Sequence, residues 1–196
     1  MVTDNVTLMK MARTSLNGKW PLAIGTFLVY TLINCSFGAM REAGLLSLLI
    51  SGPLALGAAI FSLAISRGKE AKLEQIFDGF KFFSSALVTY LLMLLYVVLW
   101  MLLLIIPGII AALSYSMSFY ILADDPSLKP RQILDQSKKM MDGYKAKLFW
   151  LCMRLFLLAL LCILTLGIGF LWLIPYANVT LAKFYDDIKE QQTVVA

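Results

Sequence analysis

Two pairs of adjacent aspartates are the residues of this sequence whose type and spacing could do chemistry. Asp124-Asp125 and Asp186-Asp187 each follow a long apolar stretch. Paired carboxylates could bind a divalent cation, or act together as a general acid and base. Each pair also adjoins a basic segment, where solvated acids without an activity are the more ordinary interpretation. The repetition of the pair stays unexplained at this stage, because acids at a helix C-terminus are electrostatically unfavourable.

Arg154 is the second candidate, because no other basic residue falls within a long apolar stretch. An arginine at the centre of a bilayer costs about 2.5–3.5 kcal/mol on insertion scales. Its depth would let the side chain reach the cytoplasmic headgroups and act as an anchor. The alternative is a functional partner, either for a lipid phosphate or for an acid within the helix bundle.

Hydroxyl and amide side chains inside the apolar stretches are the third group of candidates. In a membrane they either let helices approach and hydrogen-bond to one another, or they line a polar cavity. An amide in lipid needs a partner within the protein. These candidate intramembrane residues are Asn34, Ser114, Ser118, Tyr120 and Asn178.

The sequence offers little else for catalysis or metal binding. Histidine, the most common general base and metal ligand near neutral pH, does not occur. Cys35, Cys152 and Cys162 lie inside apolar runs without CxxC spacing, which argues against a zinc site or a disulfide framework. We therefore expect no cofactor, no metal and no enzymatic activity.

Composition indicates which elements must position these residues. The chain is 60% hydrophobic and 15% charged, with a mean hydropathy of +0.81, whereas soluble domains are nearer 45–50% apolar and about 25% charged. The apolar residues fall into four blocks, residues 21–38, 45–66, 84–123 and 148–182. Since about 20 helical residues cross a hydrocarbon core of about 30 Å, each of the last two blocks is long enough for two spans.

Proline and glycine predict where the two long blocks are divided. Pro107 and Gly108 interrupt the third block, and Gly167 and Gly169 interrupt the fourth. We predict an all-α integral membrane protein with about six transmembrane helices arranged as three hairpins. The second halves of the long blocks, residues 109–123 and 170–182, are short, so partly re-entrant segments remain the alternative.

The distribution of charge predicts the orientation. All but two of the 17 basic residues lie in the termini and in the loops after the second and fourth predicted spans; the exceptions are Arg41 and Arg154. By the positive-inside rule, both termini and both long loops are cytoplasmic. The net charge of +5 then reflects membrane orientation and attraction to anionic lipids, and we expect no nucleic-acid partner.

A repeated sequence predicts how the hairpins begin. "DGFKFF" occupies residues 78–83, "DGYKAKLFW" occupies 142–150, and a weaker copy, "NGKWPL", starts at residue 17. Each copy follows an amphipathic helical pattern and precedes an apolar block, so we predict cytoplasmic interfacial helices before spans 1, 3 and 5. A glycine would end each helix in the left-handed conformation, and basic and aromatic residues would anchor the chain at headgroup level. The predicted helix stops and anchors are Gly18, Trp20, Gly79, Lys81, Gly143 and Lys145.

The chain is therefore predicted to form one membrane domain over residues 1–196. Residues 1–83 would hold the first interfacial helix, the first hairpin and the following surface helix. Residues 84–147 would hold the second hairpin and its surface helix. Residues 148–196 would hold the third hairpin and a short polar tail.

Three stretches resemble a known family: "PGIIAALSYSMSFYILADDP" at residues 107–126, "SKKMMDGYKAKLF" at 137–149 and "LTLGIGFLWLIPYANVTLAKFY" at 164–185. They look like the bacterial integral-membrane family called domain of unknown function 975, and the resemblance covers nearly the whole chain. More distantly, the chain is similar to the membrane domain of some glycerophosphodiester phosphodiesterases. The resemblance implies a multi-pass protein of the bacterial inner membrane and no reaction. The sequence has no phosphodiesterase catalytic domain, so that activity does not carry over.

The sequence favours a non-enzymatic scaffold, sensor or accessory subunit of a membrane transport or envelope system. Its partners would be the lipid bilayer, anionic lipids, and another membrane protein or a second copy of the chain. The alternative is a small transporter, a lipid-handling protein or a protector against membrane-active peptides, with a polar path along span 4 and Arg154. An intramembrane enzyme acting on lipid headgroups is a third hypothesis, supported only by the aspartate pairs and Arg154.

Overall fold

The computed structural model describes residues 3–39 and 44–195, with side chains at 3–36 and 47–192. Within these ranges every regular element is a helix, and the connection that contains Arg41 lies outside them. A single 3-10 turn, Gly79–Phe82, separates α4 from α5. The helices are α1 Asn5–Leu16, α2 Trp20–Ala39, α3 Gly44–Ser66, α4 Gln75–Asp78, α5 Phe83–Leu103, α6 Ile105–Tyr115, α7 Ser118–Asp124, α8 Pro130–Met140, α9 Lys145–Leu164 and α10 Phe170–Val195.

Four helical stretches are long and apolar enough to cross a membrane. They are Ser47–Ser66, Gln75–Leu103, Ile105–Asp124 and Lys145–Leu164, while Trp20–Ser36 is a shorter apolar helix. The chain is therefore an all-helical protein with four candidate membrane spans among its described residues. The layout of six spans in three hairpins remains a prediction, because α10 becomes charged after Ala182 and its apolar part is short for a hydrocarbon core of about 30 Å.

Helix α3 is the centre of the bundle. It packs against α2, α4, α5, α7 and α10, and 61% of its candidate span is buried within the protein. By contrast, only 11% of Gln75–Leu103 and 17% of Lys145–Leu164 are buried. Helices α5 and α9 therefore present most of their apolar surface outward, as expected for helices that face lipid.

Close backbone contact with α3 corrects the predicted conformation of Gly79, at the end of the surface helix before the third predicted span. A Cβ built on Gly57 would lie 1.8 Å from the Ile76 carbonyl oxygen, and one on Gly79 would lie 1.9 Å from that of Pro53. Helix α4 ends at Asp78, so Gly79 does lie at a helix stop, but its φ of −60° is not the left-handed conformation that was predicted there. The glycine instead permits close packing on α3. Lys81 beside it is exposed and pairs with Asp78 at 2.7 Å.

The two other repeat glycines differ from Gly79. Gly18 and Gly143 have φ of 77° and 78°, the left-handed conformation, shortly after the ends of α1 and α8. Lys145 is the first residue of α9 and Trp20 the first of α2. Glycine thus turns the chain in the copies that start at residues 17 and 142. In the copy that starts at residue 78 it lets two backbones come into contact.

The break in the third apolar block lies three residues before the predicted one. Helix α5 ends at Leu103, Leu104 is extended with φ of −163° and ψ of 145°, and α6 begins at Ile105. Pro107 therefore sits in the first turn of α6, where its missing N–H has no helical acceptor to lose. Gly108 lies close to α5, since a Cβ there would lie 2.3 Å from Cγ of Met101.

The break in the fourth block lies in a turn between α9 and α10. Helix α9 ends at Leu164 and α10 begins at Phe170. Gly167 has φ of 86°, a left-handed conformation that glycine adopts without strain. A Cβ on Gly169 would lie 2.6 Å from Sγ of Cys162, so this glycine lets the turn fold back onto α9.

Candidate functional site

Three helical segments meet at one ionic cluster, which we call the Arg67 cluster: Arg67, Asp124, Tyr185, Asp186 and Lys189. Arg67 directly follows α3, Asp124 ends α7, and the other three residues lie in α10. In the predicted layout, α3, α7 and α10 belong to the second arms of the three hairpins. The cluster therefore joins parts of the chain that are 57 to 119 residues apart in sequence.

Arg67 binds two carboxylates at once. Its Nη1 and Nη2 atoms donate to the two oxygens of Asp124, at 2.7 and 2.9 Å. Its Nη2 and Nε atoms donate to Oδ1 of Asp186, at 2.8 and 3.0 Å. The planar fork of a guanidinium is suited to such paired contacts, whereas the point charge of a lysine is not.

Further donors complete the cluster. Lys189 forms an ion pair with Asp124, and the Tyr185 hydroxyl donates to the same carboxylate at 3.1 Å. The Ser66 hydroxyl donates to Oδ2 of Asp186 at 2.8 Å. Two cations therefore face two anions, and both carboxylates are hydrogen-bonded from several sides.

Partial burial and hydrogen bonding in the cluster determine the protonation states of Arg67 and Tyr185. The exposed fractions of the Arg67, Asp124 and Asp186 side chains are 29%, 14% and 19%. Hydrogen bonding to Asp124, and then to Asp186, raises the pKa of Arg67 above its usual value, although partial burial opposes this shift. Burial, followed by the negative charge of Asp124, raises the pKa of Tyr185. Arg67 therefore stays charged and Tyr185 neutral across the physiological range.

Asp187 forms a second ionic contact beside the first. It pairs with Lys147 near the start of α9 at 2.8 Å, with side chains 11% and 17% exposed respectively. It also accepts hydrogen bonds from the Thr3 backbone N–H, at 3.3 Å, and from the Thr3 hydroxyl. This contact connects α10 to the start of α9 and to the segment before α1.

The aspartate pairs thus have three different environments. Asp124 and Asp186 bind Arg67, Asp187 binds Lys147, and Asp125 accepts hydrogen bonds from Ser127 in a local turn. Among the described residues no group of three or more histidine, cysteine, aspartate or glutamate side chains could hold a metal ion. A cavity of about 680 Å³ adjoins the cluster and is lined by residues of both charges, including Arg67, Asp124, Lys183 and Glu190.

Sequence reasoning missed Arg67, although a signal for it was present. The second arms of the predicted hairpins end in Ser66-Arg67, Asp124-Asp125 and Asp186-Asp187. Aligning the three ends would have placed one arginine opposite two acids. That alignment accounts for one acid of each aspartate pair, because Arg67 binds Asp124 and Asp186.

Ser114 and Ser118 of the fourth predicted span are buried but do not form a continuous polar path. The Ser114 hydroxyl donates to the Ile110 carbonyl of its own helix at 2.7 Å, and the Ser114 carbonyl accepts from the Ser137 hydroxyl at 2.8 Å. The Ser118 hydroxyl is buried and has no hydrogen-bond partner within the described residues. The contact between Ser114 and Ser137 instead ties α6 to α8.

The remaining intramembrane candidates also bond to nearby backbone. The Tyr120 hydroxyl donates to the Asn178 carbonyl at 3.4 Å. The amides of Asn178 and Asn34 donate to carbonyls four residues earlier, those of Ile174 and Tyr30, at 2.9 Å each. These contacts satisfy side-chain donors without an external ligand.

Arg154 lies apart from the Arg67 cluster and from the buried polar residues of the fourth predicted span. It is exposed on α9 and, together with Lys10 and Arg13 of α1, lines a cavity of about 530 Å³. An adjoining cavity of about 480 Å³ contains Arg13 and Trp20. Neither of these two cavities is lined by a serine of the fourth predicted span.

The comparison with protein families agrees with the resemblance seen in the sequence. The model of a family described as "Protein of unknown function (DUF975)" matches residues 1–110 and 97–192. No curated protein and no solved structure matches the chain. The family match adds no support for the more distant likeness to the membrane domain of glycerophosphodiester phosphodiesterases.

Proposed function

The chain belongs to the protein family described as "Protein of unknown function (DUF975)", and from this premise we propose that it is a non-enzymatic membrane scaffold or accessory subunit. It would serve a transport or envelope system of the bacterial inner membrane as a multi-pass protein with both termini in the cytoplasm. The charge distribution supports this orientation, because the basic residues gather in the termini and the two long loops.

The Arg67 cluster is the observation that carries the proposal. An acid or base in catalysis must exchange a proton with a substrate within hydrogen-bond reach. Asp124 and Asp186 instead hold a doubly bonded arginine. Their geometry suits a contact that fixes the ends of α3 and α7 relative to α10, which is what a rigid scaffold requires.

The outward surfaces of α5 and α9 supply a place for a membrane partner. Leu99 on α5 and Phe156 on α9 are 53% and 57% exposed, and both belong to long apolar faces. In a bilayer such faces contact lipid or another transmembrane helix. A scaffold would use one of them to hold its partner while the Arg67 cluster keeps the bundle in shape.

Site-specific crosslinking in intact cells tests this role. A photo-reactive residue at Leu99 or Phe156 should give one crosslinked protein species of discrete mass, and that species should co-purify in mild detergent. The same residue at Leu56, which is fully buried, is the control and should crosslink only within the chain. Lipid adducts alone from both outward faces would count against the scaffold.

Lipid handling is the second candidate function, and the cavities that contain Arg154 favour it. The polar path along the fourth span receives less support, because Ser114 bonds to its own helix and Arg154 faces α1. Protein in liposomes distinguishes the two functions. Lipid or solute movement that disappears with Arg154→Gln, without loss of folded protein, would favour lipid handling or transport over the scaffold.

A further inference from the structure

A continuous groove runs between α1, α9 and α10, and we call it the α1–α9 groove. It consists of the two adjoining cavities of about 480 and 530 Å³ described above. The two cavities share the lining residues Arg13, Leu158, Leu161 and Tyr176. Because they share walls, a single elongated molecule could occupy both.

The groove carries positive charge that the described part of the chain does not neutralise. Its lining includes Lys10, Arg13 and Arg154 and no acidic residue. None of these three cations forms an ion pair within the described residues. The Arg67 cluster shows the opposite pattern, since each of its cations meets a carboxylate. Three cations beside apolar walls favour an anionic occupant, because charges attract more strongly where water is partly excluded.

The rest of the groove is apolar and has the length of one membrane leaflet. Its walls include Leu158, Leu161, Trp172 and Leu173. From Arg154 to Thr165 helix α9 advances by about 16 Å, at 1.5 Å per residue. Half of a hydrocarbon core of about 30 Å is close to that distance. An acyl chain would therefore fit along the groove beside its cations, of which Arg13 lines both cavities.

We propose that the α1–α9 groove binds one anionic phospholipid, with its phosphate against Lys10, Arg13 and Arg154 and an acyl chain along Leu158 and Leu161. The site does not depend on the scaffold role, since a scaffold and a lipid-handling protein could both hold such a lipid.

Quenching of Trp172 by brominated lipids tests the site directly, because this residue lines the groove. The full chain is purified in detergent with its other tryptophans changed to phenylalanine. It is then titrated with phosphatidylglycerol or phosphatidylcholine that carries identical brominated acyl chains. Phosphatidylglycerol should reach half-maximal quenching at a much lower mole fraction than phosphatidylcholine. The replaced tryptophans are Trp20, Trp100 and Trp150.

Substitution of the cations should remove the preference for the anionic lipid. A basic residue near a membrane surface contributes about 1 kcal/mol to anionic-lipid binding, which corresponds to about fivefold in affinity. Arg154→Gln should therefore weaken phosphatidylglycerol quenching about fivefold, and the triple change at Lys10, Arg13 and Arg154 on the order of a hundredfold. Arg154→Lys keeps the charge and should retain most of the preference.

The matched control removes the same charge elsewhere. Arg131, Lys138 and Lys139 are exposed on α8 and line none of the cavities described, so changing all three to glutamine should leave the preference unchanged. Equal quenching by the two lipids would overturn the proposal. So would an equal loss in the control triple, which would indicate diffuse surface attraction. Loss of quenching on dimerisation would mean that a second copy of the chain occupies the groove.

A variant that fills part of the groove provides an independent test if the arginine changes impair folding. Leu161→Phe leaves the three cations in place but narrows the apolar part of the groove. Its quenching by phosphatidylglycerol should fall severalfold while its helical circular dichroism stays unchanged. Unaltered quenching in this folded variant would show that the acyl chain lies elsewhere and would refute the proposed binding mode.

Discussion

Replacing Arg67 with glutamine should be among the most destabilising single changes at a polar position of this protein. The substitution removes the cation that binds Asp124 and Asp186 together, with four N–O contacts between 2.7 and 3.0 Å. Asp124 keeps its ion pair with Lys189. Asp186 keeps the hydrogen bond from the Ser66 hydroxyl but loses its arginine, so its charge becomes the less compensated one.

The expected magnitude follows from the partial burial of the cluster. Removing one partner of a fully buried ion pair costs about 3–5 kcal/mol, whereas exposed pairs contribute about 0.2–1 kcal/mol. The three side chains are 14–29% exposed, so their environment lies between these limits. We expect Arg67→Gln to lower the free energy of unfolding by about 2–3 kcal/mol. Arg67→Lys should recover part of this loss, since it restores the charge but not the fork.

Unfolding in mixed detergent micelles, as a function of the denaturing detergent, measures this free energy. Asp186→Asn combined with Arg67→Gln completes a double-mutant cycle. The coupling energy between the two positions should exceed about 1 kcal/mol, because the side chains are in direct contact. The control is Lys72→Gln, whose pair with Glu70 is 63% and 81% exposed. A coupling within error of zero, or an Arg67 variant as stable as the Lys72 control, would refute the fastening role.

Three further predictions follow from the packing and the charges. Gly57→Ala should destabilise the protein by about 3 kcal/mol or more in the same assay, because its Cβ would lie 1.8 Å from backbone; Gly25→Ala, with open space around it, should change stability by less than about 1 kcal/mol or increase it. Asp187→Asn should cost about 1–3 kcal/mol, because Lys147 would lose its carboxylate partner. In a cysteine-free background, Glu42→Cys should react with an impermeant thiol reagent from outside the cell and exposed Lys138→Cys only after permeabilisation; the reverse result would invert the proposed topology.

The presence of long helices was predictable from the sequence, because a long apolar segment in a membrane can adopt few structures other than a helix. Backbone groups in lipid need partners, and a helix supplies them within one segment. The amphipathic pattern before the third copy of the repeated sequence was informative for the same reason, since Ile133, Leu134 and Met140 are buried on one face of α8. These features depend on local sequence alone.

The positions that were mispredicted depend on contacts with distant parts of the chain. Gly79 matches Gly18 and Gly143 in its local sequence, yet it is not left-handed and packs against the backbone of α3. The break before α6 falls at Leu104, a residue with no breaking tendency of its own. Pro107 marked the region but not the residue, because proline is tolerated within the first turn.

The charges of the candidate site were visible in the sequence, but their pairing was not. Asp124 and Asp186 stand out in the sequence because the aspartate pair recurs, whereas Arg67 is one of several basic residues in a loop. Proximity between residues 57 and 119 positions apart is a property of the tertiary fold. Local patterns therefore indicated which residues carry charge, and only the three-dimensional arrangement showed which of them neutralise one another.

The position of the Arg67 cluster is consistent with how helices associate in lipid. Apolar faces such as those of α5 and α9 gain little by leaving lipid for another apolar face, so polar contacts and close packing must hold the helices together. An ion pair at mid-bilayer would first have to overcome a large desolvation penalty. At the ends of α3 and α7, next to charged loops, the penalty is smaller and the attraction still exceeds that of fully exposed groups. Arg67, Asp124 and Asp186 thus hold α3, α7 and α10 together where ionic contacts are most effective, while the cations of the α1–α9 groove, which form no ion pair within the described residues, are available to the proposed lipid.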